Sequence, residues 1–95
     1  FMRPEDLAVL RQLTDDIYQD FTSRLNSRFT NLTDVDIQLC ILIKLGFSIS
    51  QIAILTAISP TSVSQQKSRT KKRIQQQEPD CFAEGETLDL WLRKF

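Results

Sequence analysis

The chain has no histidine, two cysteines, two glycines and three prolines in 95 residues, and each shortage removes a class of chemistry. Without imidazole, a Ser–His or Cys–His nucleophile pair is excluded, as is any zinc site built on histidine. Cys40 and Cys81 show neither metal-ligand nor redox spacing and are too few for a disulfide framework, which suits a reducing compartment. The longest apolar run, Leu39 to Ile43, is closed by Lys44, far short of the about 20 residues that a membrane-spanning helix needs. No basic leader followed by an apolar stretch is present, so a cytoplasmic location is expected. Asp15 and Asp16, adjacent in a helical stretch, would point in different directions and make a poor acid/base pair. The expectation is therefore a non-enzyme with no cofactor and no metal, and the opening Phe1 suggests a piece of a larger protein.

What is present is segregated charge. Formal charge sums to zero, yet residues 1–36 hold four arginines against seven acids and residues 78–95 hold two cations against five acids. Residues 37–77 carry six cations and no acid, five of them packed into positions 67–73. A neutral chain arranged this way presents a local positive field.

Hydrophobic spacing predicts an all-α chain. Leu7, Leu10, Leu13, Ile17, Phe21 and Leu25 recur every three or four residues, which predicts one long amphipathic helix over 5–29 that packs on the rest of the domain. Thr33 with Asp36 three residues on reads as a capping box, opening an almost wholly apolar helix that ends at Gly46. Ser48 caps a short third helix with Ile49, Ile52, Ala53 and Leu55 as its apolar positions. Ser59-Pro60 starts a fourth, since a hydroxyl cap followed by a first-turn proline is a strong helix signal. That helix is expected to run to about Gln77. Its narrow stripe of Val63, Thr70 and Ile74 leaves a wide polar face without acids. Leu88, Trp91, Leu92 and Phe95 predict a last short helix that packs back. The chain thus divides into a leading helix (1–30), a core (31–78) and a linker with a packing helix (79–95).

Two helices joined by a short turn, the second rich in donors and cations, make the physical recipe for a helix-turn-helix. The residues Leu32-Thr33, Gly46-Phe47-Ser48, Ile52-Ala53, Ile58-Ser59, Ser62-Val63 and Arg73-Ile74 stand in the register of the LuxR/GerE-type helix-turn-helix, which the chain resembles without a gap over close to half its length. Phe21, Arg24-Leu25, Arg28-Phe29 and the apolar C-terminal segment add a looser similarity to the C-terminal DNA-binding domains of Bacteroidetes transcriptional regulators. The resemblance implies a four-helix core of the winged-helix-like superfamily, flanked here by the long leading helix and the short C-terminal helix. It implies sequence-specific binding of double-stranded DNA, with residues 59–77 as the recognition helix in the major groove. By the same resemblance, Thr61, Ser64, Gln65 and Ser68 face the bases, where Gln65 can pair with adenine. Lys67, Arg69, Lys71 and Lys72 meet phosphates, as do Ser48, Ser50 and Gln51 at the start of the supporting helix. Thr56 and Thr70 stand where the family has aliphatic residues, and Ser64 where it has lysine.

Two other readings share the pattern. One is a promoter reader like region 4 of a sigma factor, which has a similar Ile-Ala, Ile-Ser, Val skeleton. The other is a helix-turn-helix scaffold whose basic helix meets an acidic protein surface. Relatives of the resembled type read paired half-sites, which allows a homodimer through the leading helix or upstream regions. No membrane contact by these residues is expected.

Overall fold

Side-chain caps at the start of four helices and left-handed residues after several of them divide the chain into six helices, with no strand among the described residues. The computed structural model describes residues 2–95. Its elements are α1 (Pro4–Ile17), α2 (Phe21–Arg28), α3 (Asp34–Lys44), α4 (Ile49–Thr56), α5 (Pro60–Gln77) and α6 (Leu88–Lys94).

The single long helix expected over 5–29 is two helices. Gln19 and Asp20 adopt φ of +51° and +57°, which ends the right-handed run. The break is stitched by side chains that the apolar spacing does not report. Asp15 accepts bonds from the Thr22 amide at 2.8 Å and the Thr22 hydroxyl at 2.6 Å, satisfying a free amide at the start of α2. Arg24 donates to the Tyr18 and Gln19 carbonyls, each at 2.8 Å, at the end of α1. The apparent stripe divides accordingly: Phe21 and Leu25 are fully buried, whereas Leu13 and Ile17 are exposed.

The other starts lie where the caps predicted them. Thr33 and Ser48 each accept from the third amide of their helix, and Asp36 and Gln51 return a bond to the cap amide. Ser59 caps α5 ahead of Pro60. Gly46, at φ +93°, takes the left-handed position that closes α3. Ala57 takes the same conformation after α4, where the Ile58 amide bonds back to the Ala53 carbonyl and turns the chain into α5.

α3 is the centre of the fold. Ile37, Leu39, Cys40, Ile41, Leu42 and Ile43 are all buried, and the helix packs against α1, α2, α5 and α6. A helix apolar on nearly every side is stable in water only when its neighbours cover it. α6 closes the core as expected. Trp91 stacks on Phe82 at 5.1 Å, meets Phe29 edge-on at 5.5 Å, and donates its indole N–H to the Cys81 carbonyl. Lys44 reaches the Leu92 carbonyl at 2.7 Å, placing a cation at the negative end of α6. No helix among the described residues is long and apolar enough to cross a membrane.

Candidate nucleic-acid interface

α5, at 18 residues, is about 27 Å long. Val63, Thr70 and Ile74 line its buried side and dock it on the core. The opposite side carries Thr61, Ser64, Gln65, Ser68, Arg69 and Lys72, all exposed and without a side-chain partner among the described residues. Their spacing of three and four places them on one surface running down the helix. All four expected base-facing residues are in this set, together with two of the four expected phosphate-facing cations.

The other two cations turn toward the C-terminal segment. The Lys67 ammonium sits 3.0 Å from both carboxylate oxygens of Asp89, with its side chain only 17% exposed. Lys71 donates to the Glu86 carbonyl and lies 4.9 Å from the centre of the Phe82 ring. A phosphate role for either lysine requires giving up these partners. Glu86 is itself buried and paired with Lys94, which holds its carboxyl below the ordinary range. Ser48 and Gln51 spend their side chains capping α4 on each other's amides, at 3.2 and 2.8 Å. Ser50 stays exposed beside them. The expected phosphate set thus separates into Ser48, Ser50, Gln51, Arg69 and Lys72, which face solvent, and Lys67 and Lys71, which the fold already engages. Ser48 and Gln51 give only acceptor oxygens to the caps and keep a hydroxyl and an amide donor.

One cluster lay beyond the sequence reading. The Asp36 carboxylate is almost wholly buried and receives five bonds. Thr70 donates its hydroxyl to it at 2.6 Å and Arg73 reaches both oxygens at 2.8 Å. The Thr33 amide and hydroxyl complete the set, at 2.9 and 3.0 Å. Burial alone would raise the Asp36 pKa. The Thr70 and Thr33 hydrogen bonds and the Arg73 charge outweigh it, so the carboxyl is held below its ordinary value. Thr70, where the resembled family has an aliphatic residue, therefore exchanges apolar contact for a charge-assisted bond. The capping box flagged Asp36 and the stripe flagged Thr70. Nothing in their spacing of 34 residues joined the two.

Elsewhere the molecule offers little reactive chemistry. No buried side-chain donor or acceptor among the described residues lacks a partner. No group of three or more His, Cys, Asp or Glu among them stands close enough to hold a metal. Burial, and secondly the Asp36 charge, pushes the Cys40 thiol far above its ordinary pKa, and burial also raises that of Cys81. A cleft of about 500 Å³ between α1 and α4 is lined mainly by Met2, Val9, Leu10, Phe47, Ile54 and Leu55 and offers no polar group but Asp6. Comparison with protein-family models, with curated proteins and with solved structures finds no match for this chain.

Proposed function

We propose that the protein binds double-stranded DNA in a sequence-selective way, as the cytoplasmic output domain of a transcriptional regulator of the LuxR/GerE type, with α5 in the major groove. One observation carries this reading. The outward side of α5 combines four uncharged hydrogen-bonding residues with two cations, and no acid lies anywhere on the helix. Such a surface suits a duplex, because Gln and Ser can read base edges while Arg69 and Lys72 meet phosphates. The short α4 followed by the turn through Ala57 supports reading α5 as the second helix of a helix-turn-helix pair. Exposed Val9, Leu13 and Ile17 on α1 are consistent with a second copy or an upstream segment pairing there on DNA.

A protein-interaction role has one observation in its favour: α5 already holds an acidic side chain, Asp89, through Lys67. Anisotropy of a labelled random duplex, titrated at low and moderate salt against a heparin-like polyanion, separates the two. DNA reading predicts saturable binding that survives modest competitor, with log K falling against log salt at a slope of about −2 if only Arg69 and Lys72 meet phosphates. No binding at low salt, or complete displacement by trace polyanion, removes the DNA reading and favours an acidic partner.

A further inference from the structure

α5 is anchored by few apolar side chains, and their placement leaves one motion open. Val63 and Ile74 are its two buried aliphatic residues, three helical turns apart on a single line. Two aliphatic contacts on one line resist tilting but not rolling, because dispersion contacts are non-directional. A roll of about 20° carries a side-chain tip at about 6 Å from the helix axis through about 2 Å. That displacement exceeds the tolerance of a hydrogen bond to a base edge.

Directional contacts oppose this roll on both flanks. Lys67 on Asp89 and Lys71 on the Glu86 carbonyl hold the side toward α6, and on the side toward α3 the contacts converge on one carboxylate. Asp36 belongs to α3, the most buried helix, and its own rotamer is fixed by the Thr33 amide and hydroxyl. From there it takes the Thr70 hydroxyl and both Arg73 bonds, two residues one turn apart on α5. Asn31 adds a tie on the same flank by donating to the Arg73 carbonyl at 2.8 Å. Arg73 borders the cleft that also contains Gln66 and Arg69. Its guanidinium is turned inward onto Asp36, although the neighbouring Arg69 is exposed.

We propose that Asp36 is the positioning residue for selectivity: through Thr70 it sets the roll of α5, and through Arg73 it withholds one cation from the phosphate backbone. The inference rests on the DNA-binding reading and deepens it. Selectivity and general affinity then respond to Asp36 with opposite signs. Losing the carboxylate blurs the aim of Gln65 and Ser68 while releasing an arginine beside Arg69. A residue that merely stabilised the fold would weaken binding to every duplex alike.

The test uses the whole chain and a duplex selected from a random library by the wild-type protein. Binding to this duplex and to a random one is measured across a salt series. For Asp36→Asn, discrimination between the two is expected to fall about tenfold, the effect of one weakened base contact. Random-duplex binding is expected to be no weaker, with a salt slope steeper by about one. Thr70→Val and Thr70→Ser guard against a misfolded Asp36→Asn. Valine keeps the bulk of the site without the donor and serine, one methyl smaller, keeps the donor, so valine should lose discrimination and serine should retain it. Unchanged discrimination in Asp36→Asn and Thr70→Val, or equal losses on both duplexes, overturns the proposal while leaving DNA reading intact. Failure of the wild-type protein to select any duplex takes both down together.

Discussion

The two long sides of α5 follow opposite rules although both carry hydroxyls and cations. On the inward side and its flanks, Lys67, Thr70, Lys71 and Arg73 each find a partner within the domain. On the outward side, Thr61, Ser64, Gln65, Ser68, Arg69 and Lys72 stand in solvent. Adjacent cations such as Lys71 and Lys72 thus do different work, and the docking of α3 and α6 separates them. A charge run is therefore a poor measure of a binding surface until the neighbouring helices have taken their share.

Substitutions on the two sides should separate accordingly. The largest effect belongs to the buried stripe. Ile74, fully buried, should cost about 2–5 kcal/mol in a urea melt when changed to alanine, through lost burial and the cavity left behind. Its folded fraction should bind DNA with ordinary affinity. A loss of affinity at full folding would mean that the inward side is not purely structural.

A smaller loss is expected where the leading segment breaks. Asp15→Ala removes the acceptor of the Thr22 amide and hydroxyl and should cost about 0.5–2 kcal/mol, the range for a lost helix cap. DNA binding should be untouched, because α1 and α2 lie outside the proposed helix-turn-helix. If the variant keeps full stability, Arg24 and the backbone bonds, among them the Asp20 amide to the Asp15 carbonyl, suffice to hold the turn through Gln19 and Asp20.

On the inward side, acid should act through Asp36. Asp36 has a folded pKa below its ordinary 3.8, so the unfolded chain binds more protons as pH falls. Its contribution is whole above about pH 4, the unfolded carboxyl range, and is lost as pH drops through the lower folded value. Asp36→Asn should flatten this acid limb in pH-dependent melts. An identical limb in that variant would assign it to other carboxylates, such as Glu78 beside Arg28, which also lies low.

The smallest and sharpest contrast compares two lysines. Lys72→Ala should leave stability within about 0.5 kcal/mol, as for an ordinary surface change, and flatten the salt dependence of DNA binding by about one. Lys67→Ala should do the reverse: a loss of up to about 1 kcal/mol, as for an exposed ion pair, with the salt slope unchanged. Equal slopes for the two variants would erase the distinction between the sides of α5.

By itself the sequence determined the starts of α3, α4 and α5, because capping is local. Thr33, Ser48 and Ser59 each accept an amide three residues ahead, and no distant contact is needed. It also determined which side of α5 faces outward, since Val63, Thr70 and Ile74 leave only one side to bury. The break between α1 and α2 was not legible, because apolar spacing continues through a left-handed pair when the next helix starts near the same phase. Nor were the partners of Lys67, Lys71 and Arg73 legible, for they come from 15 to 37 residues away. Only tertiary packing brings Asp89, the Glu86 carbonyl and Asp36 to them. It alone decides which of the clustered cations remain free, because an ion pair depends on distance in space and not on separation along the chain.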